Sequence, residues 1–221
     1  MSNIPVPVNR TIDHALLKPD MTPSDARAQI ELGLRYHVRT VCVRPCDIPL
    51  ALDLCRGSDT GVSCVLAFPH GGILSASKGD EARRYVDLGA HEIDMVANIG
   101  WIRAGLWEQV ADDIRAVTSV ARPAGVLVKV ILETCLLAPE QAAKATEAAI
   151  RAQADFVKTS TGFAASGASE EMVGTLVEAA GGRIGVKASG GIRTREQALR
   201  YLELGATRLG VGGTSTPVLC T

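Results

Sequence analysis

Three lysines embedded in short apolar runs constrain the fold of this chain most tightly. They lie in Val126-Leu127-Val128-Lys129-Val130-Ile131-Leu132, in Asp155-Phe156-Val157-Lys158-Thr159-Ser160-Thr161-Gly162 and in Ile184-Gly185-Val186-Lys187-Ala188-Ser189-Gly190-Gly191, at an even interval of 29 positions. A bounded apolar run of this length reads as a buried parallel strand. One strand with its crossover helix takes roughly 30 residues, so the interval predicts three successive parallel strands with lysines at similar heights. Lysine is almost never fully buried without a partner. Burial lowers its pKa, a second ammonium nearby lowers it further, and a neutral amine attacks carbonyls. The alternative is three strand-end lysines reaching solvent past a sheet edge. On the first reading the chain holds Lys158 and Lys187 side by side, and the residues leave open which of the two is the nucleophile.

The rest of the chain keeps the same rhythm. Residues 1–9 are Pro-rich and read as a surface arm, followed by a strand within 10–19 that runs into a loop. Thr22-Pro23-Ser24-Asp25 joins a hydroxyl cap, a first-turn proline and an acid, and opens a helix to about Tyr36. Further strands are expected at 40–43, 62–68, 91–96, 126–132 and 207–211, besides the two that carry Lys158 and Lys187. Helices are expected at about 49–55, 75–88, 106–120, 139–153 and 195–204, the last opened by the capping box Thr194-Arg195-Glu196-Gln197. Alternation of this kind implies an all-parallel sheet covered by helices. Eight units without a linker predict a single (β/α)8 TIM barrel over residues 1–221. The competing architecture, an open doubly wound sheet, lacks a G-x-G-x-x-G after an early strand.

A core of Val, Ile, Leu and Ala suits a chain that is 47% hydrophobic and only 4% aromatic. A net charge of −1 argues against nucleic-acid or membrane-surface partners. No apolar stretch reaches the roughly 20 residues of a membrane helix, and the first residues lack a secretory pattern. Six scattered cysteines without C-x-x-C spacing read as reduced thiols of a cytoplasmic protein, most of them small core residues. No His/carboxylate cluster has metal spacing, so neither a metal nor another cofactor is expected.

Barrel chemistry sits at the C-terminal ends of the strands, where Asp94, Lys129, Lys158 and Lys187 are expected. Asp94, among Ile93, Met95 and Val96, needs a counter-charge that the lysines can supply. A carboxylate beside an amine of shifted pKa can relay the protons of Schiff-base chemistry; the bland reading is an ion pair that only offsets burial. Asp13 is a weaker candidate, since Asp-His before a loop is commonly a turn. Ser189-Gly190-Gly191-Ile192-Arg193-Thr194 is the expected anion cradle, completed by Gly210-Val211-Gly212-Gly213-Thr214-Ser215. Glycines let backbone approach a ligand, and amides at a helix start face a negative group. Beside a nucleophilic lysine, such a cradle favours a small phosphorylated carbonyl compound. His70 reads as a turn residue, and Trp101 and Trp107 as packing residues.

The segments I-D-H-A-L-L-K-P at 12–19, V-C-V-R-P at 41–45, E-A-R-R at 81–84, E-I-D-M-V-A-N-I-G at 92–100, V-K-V-I-L-E-T at 128–134, F-V-K-T-S-T-G-F at 156–163 and V-K-A-S-G-G-I-R at 186–193 resemble the deoxyribose-phosphate aldolase family, class I aldolases with a barrel fold. The resemblance spans nearly the whole chain. It implies reversible cleavage of 2-deoxy-D-ribose 5-phosphate to D-glyceraldehyde 3-phosphate and acetaldehyde. It implies that Lys158 forms the Schiff base, that Lys187 lowers its pKa and that Lys187 and Asp94 relay protons. By the same likeness Asp13, Thr161, Gly162, Gly190 and Gly191 are expected around the substrate, with Cys42, Lys129, Gly212 and Gly213 as further candidates; no helix face is diagnostic of oligomeric state, and a homodimer is one option.

The chain departs from the family pattern at Ala15 (usually threonine), at Arg44 (usually asparagine), at Phe68-Pro69-His70-Gly71-Gly72 (usually F-P-L-G-A) and in the last loop, where Gly212-Gly213-Thr214 follows the final strand. A C-terminal tail reaching the site is expected to be short or absent. These departures motivate two alternatives: a Schiff-base aldolase for another phosphorylated sugar, and a non-catalytic sugar-phosphate-binding barrel.

Overall fold

The computed structural model describes residues 6–221, so Met1 to Pro5 of the expected arm lie outside the described residues. Of the remainder of the arm, Val6 and Pro7 are exposed and Val8 is buried. A 3-10 turn at Val8–Thr11 buries Val8 and Thr11 against the last helix.

From there strands and helices alternate. The order is β1 Ile12–Leu16, α1 Pro23–Arg35, β2 Thr40–Val43, α2 Ile48–Cys55, β3 Gly61–Leu66, α3 Ser75–Leu88, β4 Glu92–Val96, α4 Ile99–Ala104, α5 Trp107–Ala121, β5 Leu127–Ile131, α6 Pro139–Arg151, β6 Phe156–Lys158, α7 Glu170–Ala180, β7 Gly185–Ser189, α8 Arg195–Glu203, β8 Arg208–Gly212 and α9 Thr216–Cys220. All eight strands pair in parallel with their sequence neighbours, and β8 returns to β1, closing the barrel. The hydroxyl cap expected at Thr22 and the capping box expected at Thr194 both form, and Thr22 with Asp25 makes a capping box as well. Three helices had not been named from the sequence: α7 between the two lysine-bearing strands, and the short α4 and α9. Asn98 reads as the end of a strand, yet its side-chain oxygen accepts from the Trp101 amide and starts α4. Trp101 and Trp107 pack against the core as expected.

The hydrophobic core lies between strands and helices. It takes one side of each strand, for instance Val41 and Val43, Ile93 and Met95, and Val128 and Val130. Because strand side chains alternate, the other side faces the barrel interior. Strands of a barrel tilt, so alternate strands meet at one level and neighbours interleave. With the observed registers, the interior stacks as four layers of four residues. Thr40, Glu92, Phe156 and Arg208 form the floor. Asp13, Ser63, Lys129 and Lys187 come next, then Cys42, Asp94, Lys158 and Gly210. Ala15, Val65, Ile131 and Ser189 form the top.

The equal spacing of the lysines therefore does not put them at one height. Lys187 pairs in register with Lys158, but Lys129 pairs with Phe156. Lys129 and Lys187 share the second layer and Lys158 stands one layer above them, because register is set by strand pairing and tilt rather than by the length of a repeat. Gly210 makes room for this stack. A Cβ there would lie 2.5 Å from the Ser189 Cβ and 3.1 Å from the Lys187 Cε.

A second buried ion pair braces the outer face of β4. The Lys78 ammonium, fully buried on α3, donates to the Asp113 carboxylate of α5 at 2.6 Å and to the Val96 carbonyl at 2.8 Å. Asp113 also accepts from the Ser75 hydroxyl and the Asn98 amide. Removing one partner leaves a buried charge unmatched, which costs about 3–5 kcal/mol. Lys78→Met should lose stability on this scale in denaturant unfolding. Lys78→Met with Asp113→Leu should recover a large part of the loss.

Candidate active site

The barrel interior holds four cations and three carboxylates, all buried. Asp94 is the hub. Its Oδ1 accepts from Lys129 at 2.7 Å, and its Oδ2 accepts from Lys158 at 2.8 Å and Lys187 at 2.7 Å. Asp13 Oδ2 accepts from Lys187 at 2.5 Å, and its Oδ1 accepts from Arg208 at 2.6 Å and the Thr40 hydroxyl at 2.8 Å. Glu92 accepts from Lys129 at 2.5 Å and from Arg208 at 2.9 Å. The two amines expected side by side thus converge on one carboxylate oxygen.

The environments of the three lysines differ, and the difference selects one. Burial disfavours every charge here. For Lys187 it is outweighed by Asp13 and Asp94, which raise the pKa. For Lys129 it is outweighed by Asp13, Asp94 and Glu92. Lys158 has only Asp94 beside it. Burial prevails, the Lys187 ammonium adds to it, and its pKa is lowered. Burial also disfavours the carboxylates, but the cations outweigh it and hold Asp13 and Asp94 well below the usual range. Burial pushes the Cys42 thiol up and keeps it neutral.

A cavity of about 770 Å³ opens above this network. Lys158, Lys187, Cys42 and Ser189 form its floor. Thr161, Gly162, Gly190, Gly191, Gly212 and Gly213 line one wall, and the β1–α1 loop with Lys18 and Met21 lines the other. Asp94, Asp13 and Lys129 do not line it, being wholly buried in or below the lysine layer. Asp13 and Lys129, expected around a substrate, instead hold the lysines from beneath. Asp13 belongs to β1 itself and not to a turn after it.

Two wall elements also differ from expectation. The α8 N-terminus does not present its Arg193 and Thr194 amides to the cavity, because both donate to the Gln197 side-chain oxygen. The Gly190 and Gly191 amides have no acceptor among the described residues, and both residues sit at positive φ, 85° and 76°, where glycine is favoured. The Thr161 amide and hydroxyl both donate to Glu133, and its oxygen accepts from the Phe163 amide at 3.0 Å. Thr161 therefore shapes the loop around Gly162 from within.

Arg44 has a structural task. It donates to Asp47 at 2.7 Å and to the carbonyls of Lys18 and Met21, fastening the β1–α1 loop at the cavity edge. Phe68 packs edge-on against Phe163, with centroids 5.2 Å apart. Glu92, Arg208 and Glu133 were missed by sequence reasoning. For the first two a signal existed, since Glu92-Ile93-Asp94 and Arg208-Leu209-Gly210 alternate and put Glu92 on the Asp94 side of the strand. Glu133 lies beyond β5 at φ 53°, and no local pattern announces it.

Known proteins with this arrangement supply the classification. A family profile described as DeoC/LacD family aldolase matches residues 9–216. The chain belongs to this family. It is 48% identical over 202 residues to the deoxyribose-phosphate aldolase of Deinococcus radiodurans, with 91% of each chain covered. It is 44% identical over 203 residues to that of Natranaerobius thermophilus, with 92% of each covered. Its barrel superposes on the tetrameric deoxyribose phosphate aldolase of Aeropyrum pernix with a TM-score of 0.88 at 30% identity, covering 96% of this chain and 89% of the other. Among the described residues, no helix is long and apolar enough to cross a membrane, and no group of three or more His, Cys, Asp or Glu could hold a metal ion.

In this aldolase, removing the Lys187 ammonium takes away one of the influences that lower the Lys158 pKa. Lys187→Leu should slow imine formation with acetaldehyde near neutral pH, with partial recovery at alkaline pH. A pH–rate profile of imine formation measures this. No recovery would assign Lys187 a direct part in proton transfer or geometry.

Proposed function

We propose that this barrel is a class I aldolase, a lyase that reversibly cleaves 2-deoxy-D-ribose 5-phosphate to D-glyceraldehyde 3-phosphate and acetaldehyde through a Schiff base on Lys158. The observation that carries the proposal is the asymmetry of the three interior lysines: Lys158 has a single carboxylate partner, a lowered pKa and a place on the cavity floor. Relatives of that name, at 44–48% identity over nine-tenths of the chain, support the substrate.

The neutral Lys158 amine attacks the aldehyde carbon of the open-chain sugar, and the carbinolamine loses water to give an iminium. The iminium withdraws electrons as the C3 hydroxyl loses its proton and the C2–C3 bond breaks. Glyceraldehyde 3-phosphate leaves, and the bonding pair remains as an enamine. Protonation at C2 and hydrolysis of the imine release acetaldehyde. The Lys187 ammonium is the acid at the cavity floor, and Asp94, bonded to both lysines, is the carboxylate through which their protons are related. The Gly190 and Gly191 amides, with the turn at Gly212 and Gly213, are the proposed phosphate wall. Gly162 and Cys42 border the same space. Asp13 and Lys129 act through Lys187 and Asp94 rather than by contact.

The free thiols of all six cysteines support a reducing compartment such as the cytoplasm. A homodimer belongs to the same proposal and is read by sedimentation.

Borohydride with acetaldehyde should fix a reduced two-carbon adduct on Lys158, located by peptide mass spectrometry. Lys158→Leu should abolish it. Retro-aldol turnover of 2-deoxyribose 5-phosphate should persist in chelator. An adduct without turnover would point to a different phosphorylated sugar, and no adduct at saturating aldehyde would remove the proposal.

A further inference from the structure

Beneath the reacting lysines lies a pair that no step of the mechanism uses. Arg208 Nη1 donates to Glu92 Oε2 at 2.9 Å and to Asp13 Oδ1 at 2.6 Å, and its Nη2 donates to Glu92 Oε1 at 3.2 Å. Its Cζ lies 5.3 Å from the Phe156 ring centroid. Glu92 also accepts from Lys129. Neither residue lines the cavity, and both are buried. We propose that Glu92 and Arg208 are positioning residues that set the net charge of the barrel interior, and through it the fraction of Lys158 held as free amine. The inference rests on the reading of Lys158 as the imine-forming residue.

The charges facing Lys158 can be named strand by strand. Asp13 comes from β1, Glu92 and Asp94 from β4, Lys129 from β5, Lys187 from β7 and Arg208 from β8. From β2 comes the neutral Cys42 thiol, and β3 offers only Ser63 and Val65. Glu133, at the rim after β5, is engaged by Thr161. Inside the barrel, four cations face three carboxylates, so one positive charge is in excess. Arginine does not release its proton in proteins, so the excess can leave only from a lysine. Lys129 bonds Glu92 and Asp94, and Lys187 bonds Asp13 and Asp94. Lys158 bonds Asp94 alone, and its loss of a proton brings the interior to neutrality.

The floor pair controls that balance from a distance. Removing the Glu92 charge leaves a larger positive excess, which favours the free amine at Lys158. Removing the Arg208 charge cancels the excess, which favours the ammonium. Removing both returns the original balance. Opposite shifts that cancel in the double variant are the signature of charge; a merely structural role would not produce them.

The test is competitive labelling of the full chain with trace acetic anhydride across pH, with acetylation of Lys158 read by mass spectrometry. This reports the Lys158 titration midpoint without requiring turnover. Glu92→Gln should lower the midpoint by about half to one pH unit, and Arg208→Gln should raise it by a similar amount, the scale of one charge acting through protein. Glu92→Asp, which keeps the charge, and the double variant Glu92→Gln/Arg208→Gln should stay within about 0.3 unit of the parent. The acid limb of kcat/KM should follow the same order. An unchanged midpoint in Glu92→Gln, or a double variant that fails to return to the parent value, overturns the proposal. If Arg208→Gln alone does not fold, the two Glu92 variants and the double decide it. Midpoints that shift as stated while borohydride traps nothing on Lys158 would leave the floor pair standing and remove the aldolase reading instead.

Discussion

One carboxylate shared by three lysines organises this molecule. Asp94 accepts from Lys129, Lys158 and Lys187 inside a closed sheet, where water cannot stand in for a missing partner. A buried lysine is tolerable only beside a counter-charge, and a buried carboxylate only beside cations. Each of the four residues is a condition for burying the others. The hub lies within β4 and its donors on β5, β6 and β7, so closing that side of the barrel and assembling the charges are one event.

In the proposed mechanism that economy also creates the reactive group. If every lysine had two carboxylate partners, all would remain ammoniums and none could attack a carbonyl. The layers prevent this. Lys129 and Lys187 sit level with Asp13, between Asp94 above and the floor below, while Lys158 stands higher with a single partner and the cavity over it. Apolar layers fill many barrels; here the lower interior is ionic, and the lysine with a single carboxylate partner borders the cavity. The apolar residues have the complementary task outside the barrel, joining helices to strands and fixing the register on which these distances depend.

The family departures fall at the edge of the site rather than in this network. Arg44 fastens the β1–α1 loop through Asp47 and two carbonyls. Ala15 borders the cavity, and Gly212, Gly213 and Thr214 of the last loop line it. They fall on or beside the cavity walls, whereas Asp13, Asp94, Lys158 and Lys187 lie in the segments that match the family pattern.

Fold class was legible because period and punctuation are local. Thr22-Pro23 and Thr194 to Gln197 announce their helices, and repeated apolar runs separated by helix-length segments allow little besides a parallel barrel. The lysines and Asp94 were legible because charge inside an apolar run is costly wherever the run ends up. Asp13 was half-read, as a turn, since nothing nearby reveals that its strand closes against β8. Glu92 and Arg208 are 116 positions apart, and each alone is an ordinary polar residue at a strand start. Which lysine has the lowered pKa was beyond the reach of periodicity and burial, and only the family resemblance pointed to Lys158, because the shift depends on how many carboxylates stand around each amine. Strand register, barrel tilt and closure set those numbers, and they exist only once residues distant in the chain have been brought to the same layer.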